Sequence, residues 1–130
     1  MAINLVFAWW LILAGLVSGT AQGLFFHRED WLGGYGSWRR RMTRLGHIAF
    51  FGTGLINLVA AATVRLWALP TDSMLVRASS LLVIVGAMAM STICYLAAWK
   101  KPVRHLFFIP VASLLTGVAC LLTALLRAGV

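Results

Sequence analysis

Acidic residues are scarce in this chain, which has 130 residues, three Asp or Glu, eleven Lys or Arg and a formal net charge of +8. The three acids, Glu29, Asp30 and Asp72, lie between long apolar runs and not within them. Coupled transporters and proton pathways commonly place an ionisable group in mid-membrane. The sequence therefore disfavours a coupled transporter, while uncoupled passage of a small neutral or anionic solute stays open.

Cysteine is equally rare. The two cysteines, Cys94 and Cys120, lie inside apolar runs and form neither a CxxC motif nor a disulfide framework. We interpret them as small packing residues. No nucleophile, base and orienting group come together in the sequence as a catalytic set, so the chain leans away from being an enzyme.

Apolar residues make up 62% of the chain, charged residues 11%, and the mean hydropathy is +0.92. This composition is far outside the range of soluble domains. Four apolar runs are each long enough to cross about 30 Å of hydrocarbon: Asn4 to Phe26, Leu45 to Val64, Met74 to Trp99 and Leu106 to Leu126. The sequence predicts an all-α membrane protein, a single domain over residues 1–130, with four transmembrane helices in an up-down bundle.

Positive charge divides unevenly between the connections. The first and third connections hold Arg28, Arg39, Arg40, Arg41, Arg44, Lys100, Lys101 and Arg104, and the other side holds Arg65, Arg77 and Arg127. Because cytoplasmic loops carry an excess of Lys and Arg, both termini are expected outside, in a bacterial cytoplasmic (inner) membrane. We expect anionic lipids to gather at the cytoplasmic face, and we expect no nucleic-acid partner.

Small and polar residues recur at helical spacing inside the spans. Gly15, Gly19 and Gly23 form a GxxxGxxxG ridge that predicts close packing of the first helix. His47, Gly54 and Asn57 share one face of the second helix. Further polar positions predicted to face protein are Gln22, Ser91, Tyr95, Ser113, Thr116, Cys120 and Thr123.

Histidine placement suggests a cofactor site. His27 ends the first span, His47 begins the second and His105 begins the fourth, so all three are expected at the cytoplasmic boundary. Imidazoles from different helices commonly hold haem iron or another transition metal, and nearby arginines can pair with haem propionates. The arginines nearest these histidines are Arg28, Arg44 and Arg104. Interfacial histidines that bond only to headgroups or backbone give the same pattern.

We predict that His47 points into the bundle, with His27 or His105 as its nearest histidine. Three functions stay open. The first is a non-catalytic subunit or accessory of a membrane assembly, associating with copies of itself or with other membrane subunits. The second is a haem b or other redox-cofactor protein that uses the three histidines. The third is a small-solute channel or transporter.

Overall fold

The computed structural model describes residues 1–129. Its α-helices are α1 (Ala2–Phe25), α2 (Trp38–Leu66), α3 (Met74–Trp99) and α4 (Phe108–Arg127). Short 3₁₀ helices at Trp31–Gly33 and Lys101–Phe107 lie in the first and third connections. Four helical segments are long and apolar enough to cross a membrane. The prediction of an all-helical protein with four candidate transmembrane helices is confirmed.

Helix α2 begins at Trp38, well before the predicted span at Leu45. The Ser37 hydroxyl accepts a hydrogen bond from the Arg40 backbone N–H at 3.2 Å, which caps the first turn of the helix. Arginine is a good helix former, so the basic segment continues the apolar helix instead of breaking it. Hydropathy located the apolar part of α2 but not its start.

The helices pack in the order of the chain, α1 on α2, α2 on α3 and α3 on α4. Helix α1 also touches α3, whereas among residues 1–129 the pair α1 and α4 makes at most marginal contact. The described part of the chain is therefore an open bundle. Within it α4 lies at an edge, and its buried residues are Pro110 and Gly117.

Where two successive helices touch, residues early in one helix contact residues late in the other. Asn4, near the start of α1, bonds to Asn57 in the second half of α2, whereas Ser18, late in α1, lies beside His47 in the first half of α2. In the same way Gly46 lies beside Tyr95 of α3. These contacts belong to two groups of polar side chains. One group lies between the first half of α1 and the second half of α2. The other lies between the second half of α1 and the first half of α2.

Large apolar side chains cover the outside of the structure. Leu81 on α3 and Leu115 on α4 are 66% and 67% exposed, and many other bulky apolar residues are similarly exposed. A water-soluble monomer rarely exposes contiguous apolar surface on this scale. These faces suit the hydrocarbon of a bilayer.

Candidate functional site

His47 lies half-buried between α1 and α2. Its Nδ1 is 3.1 Å from the Ser18 hydroxyl, and its ring meets Phe51 edge to face with centroids 5.3 Å apart. A Cβ atom added to Gly19 would lie 2.5 Å from the His47 Cε1. Gly19 therefore leaves the space that the imidazole occupies.

Ser18 contacts both its own helix and the His47 imidazole. The Ser18 hydroxyl donates to the Gly15 carbonyl at 3.0 Å. A hydroxyl has a single proton, so with that proton directed to Gly15 its oxygen accepts from the Nδ1–H of His47. The Nε2 atom then carries the lone pair. Metal-ligating histidines are commonly held in this way, by a hydrogen bond at one ring nitrogen with the other nitrogen free.

A second polar contact joins α1 to α3. Gln22, one turn after Ser18, donates from Nε2 to the Tyr95 hydroxyl at 3.3 Å. A Cβ atom on Gly46 would lie 2.8 Å from the Tyr95 ring. Gly19 and Gly46 thus each leave room for a ring from a neighbouring helix. Ser18, Gln22, His47 and Tyr95 together are called the histidine–tyrosine cluster below.

The cluster has no acidic member. Glu29, Asp30 and Asp72 all lie in turns outside the four helices. The Ser18–His47 contact consequently lacks a carboxylate to orient the imidazole, as a hydrolytic triad would require. Among residues 1–129, no group of three His, Cys, Asp or Glu side chains could hold a metal ion.

The other two predicted histidines have different surroundings. His27 is exposed in the turn after α1, and His105 is exposed in the 3₁₀ helix before α4. These two helices do not pack as a pair in the described chain. His47 alone of the three lies at a helix contact, where its hydrogen-bond partner is Ser18.

The predicted arginine partners are also dispersed. Arg28 lies 3.8 Å from Asp30 in an exposed ion pair. Arg44 stacks on Tyr35, with 4.4 Å from its guanidinium carbon to the ring centroid, and Arg104 is exposed in the third connection. A shared haem site using these arginines and all three histidines stays a prediction.

Asparagines form the other polar group, which sequence reasoning missed in part. The Asn4 amide donates to the Asn57 side-chain oxygen at 2.9 Å and to the Ser80 carbonyl at 3.0 Å, and the Ser80 hydroxyl donates back to Asn4. Asn57 also donates to the Thr53 carbonyl at 3.0 Å and to the Val83 carbonyl at 3.3 Å. Asn4 and Asn57 are fully buried, so this network joins three helices.

Two glycines of the α1 ridge face α2 within the chain. Gly15 faces the Phe51 ring and Gly19 faces His47, but a Cβ atom on Gly23 would meet nothing within 4 Å. Residues four apart differ by about 40° around a helix, so Gly23 is rotated by about 80° from Gly15. Gly23 therefore lies on the exposed side of α1, and its role in packing stays a prediction. Gly54 lies in close contact with α1, where a Cβ would be 3.4 Å from the Ala8 carbonyl.

The polar stripe of α4 also departs from expectation. Helix α4 contacts α3 through Gly117 and Leu114, which fit against Val83 and Gly86. Thr116 is exposed, and the Thr123 hydroxyl donates to a carbonyl of its own helix, that of Ala119, at 2.8 Å. The polar stripe lies beside the α4 residues that contact α3, and α3 does not cover it. The remaining members, Ser113 and Cys120, are partly exposed.

Arg40 is the second residue that sequence reasoning missed. It was expected only to contribute positive charge at the cytoplasmic face, but its side chain is 2% exposed. Its Nη2 donates to the Phe26 carbonyl at 3.1 Å, and its Nη1 donates to the carbonyls of Arg28 and Glu29 at 3.4 Å. Arg40 thereby ties the start of α2 to the backbone that follows α1.

Comparison of the chain with protein-family models, with curated proteins and with solved structures gives no match.

Proposed function

We propose that this chain is a non-catalytic subunit or accessory protein of an assembly in a bacterial cytoplasmic membrane, and that α4 packs against a further membrane helix. The observation that carries this proposal is the edge position of α4, whose buried residues are Pro110 and Gly117 while Thr116 faces outward. Helix interfaces in membranes are enriched in small and hydroxyl residues, because these let backbones approach closely and can hydrogen-bond across the contact. The stripe of Ser113, Thr116, Cys120 and Thr123 has this composition.

A photo-crosslinking residue at position 116 tests the proposal. Leu115 is the matched control, because it is adjacent to position 116 and is a bulky apolar residue that is 67% exposed. In native membranes we expect adducts with protein from position 116 and adducts with lipid alone from position 115. An absence of protein adducts at 116, or equal yields at both positions, would contradict the proposal.

The proposed topology is an up-down arrangement with both termini outside. It is supported by the excess of cations in the first and third connections and by the order of contacts between successive helices. A reporter that is active only in the cytoplasm is expected to be inactive when fused after Val130 and active when fused after Lys101. Activity after Val130 would refute either the four spans or their orientation.

The alternative function is a small haem b or other redox-cofactor protein. It is favoured by one feature, the His47 imidazole, whose Nδ1 lies 3.1 Å from the Ser18 hydroxyl and whose Nε2 would be the iron ligand in the tautomer with the proton on Nδ1. His47 together with His27 or His105 would hold the haem, and Arg28, Arg44 or Arg104 would pair with its propionates. Bound haem would supply one-electron transfer. Purified protein with a Soret band that His47→Ala abolishes would support this alternative, and protein with neither a Soret band nor a bound metal would exclude it.

A further inference from the structure

We propose that the first connection forms a binding site for the phosphate group of a phospholipid headgroup, built around Arg40. The site consists of Arg40, Arg44, His27 and Tyr35 and is called the Arg40 site below. It lies apart from α4 and does not depend on the subunit function proposed above.

Arg40 is a buried charge without an acidic partner. The rings of Phe26, Trp31 and Tyr35 surround its guanidinium carbon, with centroids at 5.0, 5.5 and 5.3 Å. Within residues 1–129 no carboxylate lies within salt-bridge distance of Arg40. The backbone carbonyl groups accept hydrogen bonds from Nη1 and Nη2 of Arg40, and the buried Nε has no acceptor in the described part of the chain. Buried charges are normally paired, so the environment of Arg40 favours an anion from outside the chain.

A surface depression opens at this position. It has a volume of about 580 Å³ and is lined by Phe26, His27, Glu29, Tyr35 and Arg40. Arg44, one turn further along α2, stacks on the ring of Tyr35, one of the residues that line the depression. Guanidinium and imidazole N–H groups are strong donors to phosphate oxygens.

The position of the Arg40 site identifies the source of the phosphate. The first connection directly follows an apolar helix, and Trp38 at the start of α2 donates from Nε1 to the Ala97 carbonyl at 2.7 Å. Arg39 stacks on Trp99, with its guanidinium carbon 4.9 Å from the ring. Tryptophans commonly mark the level of the headgroups. A lipid phosphate at this level would lie beside the depression that Arg40 lines.

Glu29 is also among the residues that line the depression, and its negative charge opposes that of a bound phosphate. The two arginines outnumber this one acid, so the site still attracts phosphate. A phospholipid and inorganic phosphate share this attraction, and only the phospholipid adds the burial of its acyl chains.

Titration of the detergent-solubilised full chain with short-chain phosphatidylglycerol tests the proposal, with binding measured by native mass spectrometry. Arg44→Gln should weaken binding roughly fivefold, because one charge-assisted phosphate contact is lost. Arg41→Gln is the matched control, since Arg41 has the same charge on the same helix but is exposed, whereas Arg44 is partly buried and stacks on Tyr35, which lines the depression. It should change binding less than twofold. Arg40→Gln should abolish binding, but this variant also removes the contacts that hold the connection, so Arg44→Gln carries the test.

Two further ligands separate the possible sources. Short-chain diacylglycerol has the same acyl chains without phosphate and should bind at least fivefold more weakly than phosphatidylglycerol. Inorganic phosphate, which has no acyl chains to bury, should compete only weakly. Strong competition by inorganic phosphate that is lost in Arg44→Gln would overturn the lipid as the ligand. Equal losses in the Arg41 and Arg44 variants, or equal binding of diacylglycerol, would overturn the site.

Discussion

Replacement of Gly19 by leucine is expected to lower the free energy of unfolding by roughly 3 kcal/mol, at the upper end of what overpacking usually costs. The first added carbon alone would lie 2.5 Å from the His47 ring. To escape, the ring must leave both Ser18 and Phe51, or α1 must move away from α2. Either movement disrupts the histidine–tyrosine cluster. Thermal and denaturant unfolding in detergent, followed by tryptophan fluorescence, measures the effect.

Gly23→Leu is the matched control for this prediction. It introduces the same side chain one turn along the same helix, at a position where a Cβ atom meets nothing within 4 Å. We expect its stability to be unchanged or slightly higher, because glycine is about 1 kcal/mol less favourable than the best helix formers. Equal stabilities of the two variants would show that His47 does not pack against Gly19.

Replacement of Asn57 by alanine is expected to lower stability by about 1.5 kcal/mol, near the upper limit measured for hydrogen bonds between membrane helices. The change removes the acceptor for Asn4 and two donations to the carbonyls of Thr53 and Val83. All of these groups are shielded from water, so no solvent replaces the lost partner.

The combination of Asn57→Ala with Asn4→Ala separates the hydrogen bond from general packing. Because the two side chains bond directly, the loss in the double variant should be smaller than the sum of the single losses by about 0.5 to 1 kcal/mol. Thr20→Val is a control, since the Thr20 hydroxyl bonds only to the Leu16 carbonyl of its own helix, α1, and its loss should be nearly neutral. Additive losses at Asn4 and Asn57 would mean that their hydrogen bond does not stabilise the fold.

The four helices could be predicted because a membrane span has a simple requirement of length and apolarity. The start of α2 could not, since hydropathy ends a span at the first charged residues whereas the helix continues through Arg39 to Arg41 up to the cap at Ser37. The open arrangement was also beyond prediction. A lipid-facing leucine and a helix-facing leucine are equally apolar, so the pattern of α4 does not show which face has a partner.

The candidate site could be predicted only in part, because helical spacing relates residues of one helix and not residues of different helices. Helical spacing places His47 on one face of α2 with Gly54 and Asn57. The same spacing extended backwards reaches Arg44 and Arg40, so the sequence also contains a signal for Arg40. The partners Ser18 and Asn4 lie on another helix. Their contacts depend on how far α1 is shifted along α2, and periodicity within one helix carries no information about that shift.

The mass of the protein released from its native membrane together with the surrounding lipid tests the subunit function most directly. Native mass spectrometry of such particles should give a protein mass greater than one chain, either a multiple of it or one chain plus another subunit. Thr116→Leu should shift the particles toward the single chain, because a bulky side chain in the stripe of α4 prevents close approach of the partner helix. Particles that contain one chain alone, in the unaltered protein, would contradict the account.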